Sequence, residues 1–232
     1  MSLEVFTNAA ILSRLAYEDN PIETFEKQRG RCAMSLVVVK VVESQPVYDG
    51  TKMEVRQHML MGIARRVGAE EPTIYFTFRG TDNIFEGMAD CTINTFAGNL
   101  SAHIHKDFFD QAKTVPVDII RMCLKNFPCV ITGHSLGGAV STMIGLDTLL
   151  GLSAFRFVNV WESFITFGAL LVACHQLAMK ASKEIFHNFV LSGDPVMILL
   201  NLLPVLLQKL GEEYGSKLVK VLQELLKAVV II

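Results

Sequence analysis

The chain has 232 residues, 51% of them hydrophobic and 19% charged, with a formal net charge of -2. That is enough apolar material for one sizeable core and too much for a disordered chain; the near-neutral balance, with no Lys/Arg block, excludes a nucleic-acid surface, which needs clustered positive charge. The five cysteines, Cys32, Cys91, Cys123, Cys129 and Cys174, form no CxxC pair and are odd in number, which suits small buried thiols in a reducing compartment rather than a disulfide framework.

In chain order, MSLEVFTNAAILSRLAY carries Glu4 early and has no basic region ahead of an apolar stretch, so it reads as a first helix and not as a secretory signal. Asp19, Asn20 and Pro21 favour a stop, and the polar stretch from Tyr17 to Arg31 reads as a surface connection. Short β-branched and aromatic runs then alternate with helical segments. Strands are expected over Ser35 to Val42, Thr73 to Phe78, Cys129 to Thr132, Phe164 to Phe167 and Phe186 to Leu191. Helices are expected over Lys106 to Asn126, with an interruption near Pro116, over Gly138 to Leu150 and over Ala173 to Lys183. This alternation is that of an α/β fold whose largely parallel or mixed sheet is covered by helices. No repeat, low-complexity tract or linker divides the chain, so residues 1-232 are expected to form a single domain.

The most apolar segments lie near the end. Pro195 to Leu207 is too short for a membrane span and contains Asn201 and Pro204; Leu218 to Ile232 is interrupted by Lys220, Gln223, Glu224 and Lys227. In the second, Leu218, Val221, Leu222, Leu225 and Val229 share one helical face, expected to dock on the domain, with contact to a lipid surface as the alternative. The expected location is cytoplasmic or membrane-peripheral.

The most informative run is VITGHSLGGAV, Val130 to Val140. A strand enters it and a helix leaves it, so Gly133-His134-Ser135-Leu136-Gly137 is a tight strand-to-helix turn of the G-x-S-x-G type. Such a turn strains the serine backbone, and flanking glycines leave room for the chain to reverse. The hydroxyl is then held at the helix N-terminus, where the dipole and the backbone N–H of Leu136 favour developing negative charge.

Four blocks in order give the chain a resemblance to the class 3 lipases, the fungal lipase-like family. They are TFRGTD (Thr77 to Asp82), IHKDFF (Ile104 to Phe109), ITGHSLGGA (Ile131 to Ala139), and the pair ITFGALLV (Ile165 to Val172) with SGDPV (Ser192 to Val196). The resemblance covers the chain from the first helix to about Pro195. It implies an α/β-hydrolase-like three-layer sandwich with a central, mostly parallel sheet flanked by helices. It also implies a serine ester hydrolase of lipase or carboxylesterase type that needs no cofactor, metal or nucleic acid and takes a lipid or small ester as substrate. By the same resemblance Ser135 matches the catalytic nucleophile and Asp194 the acid that orients a histidine. Thr81 matches the oxyanion-hole residue that works with Leu136, and Asn83 to Asp90 falls where the family carries a lid helix.

The chain departs from the family at the base. In the order Ser, Asp, His the imidazole lies downstream of the acid, yet no histidine follows His187. Without a base to take its proton a serine hydroxyl is a poor nucleophile. His134 lies inside the elbow with its side chain expected to point away, and His175 and His187 read as ordinary histidines near strand ends. His103 and His105 lack a third ligand spaced to complete a metal site. Further departures are Asp107, Leu170 and Ala173, where the family has glycine or proline. Two readings stay open: a chain cut short before its catalytic histidine, or a catalytically inactive lipase-like binding or scaffolding domain whose protein partner the residues do not identify.

Overall fold

Strand alternation decides the architecture. In Thr73–Phe78 every residue is buried, but successive side chains go to different places: Ile74, Phe76 and Phe78 join one apolar cluster, and Tyr75 joins another. A strand buried on both faces belongs in the middle of a helix-covered sheet. The computed structural model describes residues 2–29, 35–43, 47–48, 53–54, 58–65, 70–80, 95–97, 103–150, 162–169 and 185–190, and this strand lies near the centre of its six-stranded sheet.

The helices are α1 (Leu3–Leu15), α2 (Pro21–Gln28), α3 (Lys106–Ala112), α4 (Val117–Leu124) and α5 (Leu136–Leu150). The strands are β1 (Leu36–Glu43), β2 (Val47–Tyr48), β3 (Met53–Glu54), β4 (His58–Ala64), β5 (Thr73–Phe78), β6 (Thr95–Ala97), β7 (His103–His105), β8 (Cys129–His134), β9 (Glu162–Phe167) and β10 (Phe186–Phe189). The main sheet runs β1-β4-β5-β8-β9-β10, while β2 with β3 and β6 with β7 form separate pairs. In the main sheet β1, β4 and β5 are joined antiparallel, and β5, β8, β9 and β10 are joined parallel. The parallel half carries helix-bearing crossovers, with α3 and α4 between β5 and β8 and α5 between β8 and β9.

One face of the sheet packs α3, α4 and α5 against Phe76, Phe78, Ile131 and Phe164, with Met143 and Ile144 of α5 fully buried. The other face packs α1 and α2 against Leu60, Tyr75, Val130 and Ile165, using Ala9, Leu12, Leu15 and Phe25. Helices on both faces and a mostly parallel sheet make this an α/β-hydrolase fold, as the sequence resemblance implies.

Six elements differ from the sequence reading: helix α2, strand β4 and the short strands β2, β3, β6 and β7, none of which the sequence reading includes. The stretch read as a surface connection contains α2, because Asn20 is a working N-cap whose side chain accepts from the Glu23 N–H and Pro21 occupies the first helical turn, where its missing N–H costs nothing. Asp-Asn-Pro therefore starts a helix as well as stopping one. Strand β4 was not expected at all. Its sequence, HMLMGIA, has a single β-branched residue, and only its place between β1 and β5 makes it a strand. The remaining expectations agree within one or two residues, including the break between α3 and α4 at Pro116. The helices expected over Ala173 to Lys183 and Leu218 to Ile232 lie outside the described residues.

Candidate active site

Strand β8 delivers Ser135 at the end of the central parallel pair, and α5 begins one residue later. Between them Ser135 takes φ +54°, the only non-glycine residue with positive φ among those described. A left-handed serine costs about 1–2 kcal/mol, so the surroundings have to hold it there. Its N–H donates to the Phe167 carbonyl at 2.9 Å, and its own carbonyl accepts from Ala139 N–H at 3.0 Å, closing the first turn of α5.

The glycines make the turn possible through contact as well as conformation. A Cβ at Gly133 would overlap the backbone of Gly137, and one at Gly137 would overlap the Phe78 carbonyl. The elbow therefore sits directly on the end of β5, from which Arg79 and Gly80 continue. Gly80 is packed just as tightly: a Cβ there would overlap the Tyr17 hydroxyl and fall 2.7 Å from the His134 carbonyl oxygen. The Phe78-Arg79-Gly80 backbone thus runs along the elbow immediately before Thr81.

Ser135 is 2% exposed, and its hydroxyl is buried without a hydrogen-bond partner among the described residues. Buried hydroxyls are ordinarily bonded, so an unbonded one on a strained residue calls for an explanation beyond stability. Leu136, also buried, opens the helix. The first N–H groups of α5 have no partner within the helix, which leaves donors and the positive end of the dipole beside the serine.

His134 does not serve Ser135. Its ring points toward α1, with Nδ1 2.9 Å from the Tyr17 hydroxyl, which also donates to the His134 carbonyl at 3.3 Å. Both contacts are satisfied when Nδ1 carries the ring proton and donates it to the Tyr17 oxygen, leaving the hydroxyl proton for the His134 carbonyl. His187 lies in β10, in register with Ile165, which is in register with Thr132. It is therefore two strands from β8, roughly 10 Å at about 4.8 Å per strand, and three residues short of Ser135 along it. His58, which the sequence reading did not weigh, starts β4 at the sheet edge where β5 and β8 end, also two strands away.

Tyr17 is the residue of this neighbourhood that sequence reasoning missed, because an aromatic at a helix end carries no signal of its partner. Asn188 is another: its side-chain oxygen accepts from Thr166 Oγ1 at 3.1 Å and from the Ala169 N–H at 3.2 Å, which ties the exits of β9 and β10 together. Thr81, Asp194 and the segment Asn83 to Asp90 lie outside the described residues. Of the four expected site residues the structure brings together Ser135 and Leu136.

The family profile for lipase (class 3) matches residues 75–202, more than half of the chain. Over 88 residues the sequence is 34% identical to a lipase of Rhizomucor miehei, a stretch amounting to 34% of this chain and 24% of that relative. The match thus spans about a quarter of the relative's length. Lipase II from Rhizopus niveus has the same fold with a TM-score of 0.59 at 18% identity, covering 86% of this chain and 74% of that one. The Lip2 lipase of Yarrowia lipolytica follows at 0.55 and 14%, covering 86% and 73%. The Rhizomucor miehei lipase in its propeptide complex gives 0.51 and 19%, with 88% of this chain covered and 65% of that one. Among the described residues no helix is long and apolar enough to cross a membrane.

Proposed function

This chain belongs to the class 3 lipase family, and from that premise we propose that it is a serine hydrolase of carboxylic esters, acylglycerol-type lipids first among them. The observation that carries the reading is Ser135 itself: a residue held at φ +54° with a buried hydroxyl that has no hydrogen-bond partner among the described residues. A hydroxyl kept free in that setting is available to attack a carbonyl carbon. The Leu136 N–H and Thr81 would bind the tetrahedral oxyanion, and the α5 dipole would add to that stabilisation. Thr81 is the next residue after Gly80, whose backbone packs against the His134 carbonyl, and this supports that role for it. Asp194 would orient an imidazole, and water would then release the acyl group. His134 is engaged by Tyr17 and His187 is two strands away, so neither is placed to supply that imidazole.

The same gap favours a second reading, an inactive lipase-like domain that keeps the elbow as architecture and binds a lipid or a protein. Intact mass after incubation with a fluorophosphonate, run beside Ser135→Ala, separates the two. The hydrolase reading expects an adduct on the wild type alone and an esterase rate that falls about a thousandfold or more in the variant. A folded wild type that takes no adduct and turns over no ester would favour the binding domain.

A further inference from the structure

A cavity of about 470 Å³ opens on the α1 side of the elbow, lined by Ala10, Ser13, Arg14, Tyr17, Glu18, His134 and Phe167. Its size falls in the range of small-molecule sites, about 300–1,000 Å³. Ser135 is not among the lining residues, so the cavity is separate from the serine hydroxyl although His134 borders both.

Its chemistry is particular. Three aromatic rings face it, and two are fixed: Tyr17 and His134 lie edge to face with centroids 5.6 Å apart and share the 2.9 Å hydrogen bond. The third, Phe167, is held edge to face by Phe6 at 5.5 Å. Arg14, in the last turn of α1, and Glu18, in the turn that follows the helix, add one charge of each sign. Among the described residues neither side chain makes an ion pair, with the other or with any neighbour. The cavity therefore presents an unpaired cation, an unpaired anion and aromatic faces over an apolar floor.

A ligand with a single charge would leave one of these groups unmatched. A zwitterion matches both, and a quaternary ammonium beside a carboxylate and aromatic faces is a recurrent recognition mode. We propose that this cavity binds a phosphocholine-type zwitterion, its phosphate on the Arg14 guanidinium and its trimethylammonium between Glu18 and the rings of Tyr17, His134 and Phe167. The site works independently of the Ser135 hydroxyl, so it holds whether or not the chain turns over esters.

The test is isothermal titration of the full chain with phosphocholine, and with a single-chain phosphocholine lipid below its micelle concentration, beside choline and inorganic phosphate. Arg14→Gln and Glu18→Gln change groups without ion-pair partners, so both variants are expected to fold. Choline and phosphate should each bind about tenfold or more weakly than phosphocholine, and each variant should lose about tenfold in affinity. Ser135→Ala should bind as the wild type does. Binding of free phosphocholine at the strength of the lipid would mean that a soluble headgroup suffices; binding of the lipid alone, still dependent on both charges, would identify a lipid as the source. Either outcome supports the site. No binding of either probe, or binding that ignores Arg14 and Glu18, overturns it.

Discussion

The two faces of the sheet are built differently. On the α5 face Phe76, Phe78, Phe164, Ile131, Met143 and Ile144 form an almost wholly apolar layer, in which the Ser141 hydroxyl donates to the Gly137 carbonyl and the Thr166 hydroxyl to the Asn188 side-chain oxygen. On the α1 face the sheet presents Tyr75, Thr77 and Thr132, and the helix answers with Asn8 and Ser13. Ser13 and Thr132 share a hydrogen bond at 3.1 Å, and Asn8 donates to Ser35 at 2.9 Å and to the Tyr75 hydroxyl at 3.4 Å. Two atoms of this layer, Asn8 Oδ1 and Thr77 Oγ1, are buried with no partner among the described residues. Apolar contact is non-directional, whereas hydrogen bonds accept few registers. The α5 face therefore supplies most of the stability. The α1 face fixes where α1 sits, and so where Tyr17 meets His134.

The largest expected effect tests the first half of that contrast. Phe76 is fully buried beneath α3 and α5, so Phe76→Ala should cost about 3–5 kcal/mol in urea unfolding, transfer and cavity terms together. A loss under about 1 kcal/mol would mean that this layer is no denser a source of stability than the other.

The α1 face gives a smaller effect and a change of sign. Ser13→Ala leaves the Thr132 hydroxyl buried without its partner and should destabilise by about 1–3 kcal/mol. Thr77→Val removes a buried hydroxyl that has no partner among the described residues, while keeping its shape. It should be neutral or stabilise by up to about 1 kcal/mol, measured by the same unfolding curve. Destabilisation by Thr77→Val would show that the hydroxyl makes a stabilising contact after all.

How much of this was legible in the sequence follows from how local each signal is. The elbow was legible because G-x-S-x-G between a strand and a helix has few conformations open to it. The structure adds the contacts that enforce it, Gly137 on the Phe78 carbonyl and Gly80 on Tyr17. The α5 face was legible too, because β5 and β8 are rich in β-branched and aromatic residues. Strand β4 was not, since Met59, Leu60 and Met61 serve a helix equally well and neighbours on both sides decide the matter. Nor was the Tyr17–His134 pair, whose members are 117 residues apart. Local chemistry announces a turn, while a contact between distant segments leaves no pattern in either.

The smallest effect concerns the outer helix of the α1 layer. Helix α2 buries Phe25 against that layer but meets water on its other side, where Lys27 Nζ lies 2.6 Å from Glu23 Oε1. The Lys27 hydrogen bond and charge, with a contribution from Asn20, hold the Glu23 carboxyl below its ordinary range. A carboxylate whose folded pKa is depressed stabilises the fold above its unfolded value, about 4.3. That stabilisation is lost as the pH falls from there through the lower folded value. Lys27→Gln removes the main cause, so the variant and the wild type should differ most above that window and converge below it. Because the pair is exposed, added salt should shrink the difference. Thermal unfolding from pH 3 to pH 7 at two salt concentrations reads this directly. A difference that grew as the pH fell would mean that Lys27 acts on α2 through something other than the Glu23 carboxylate.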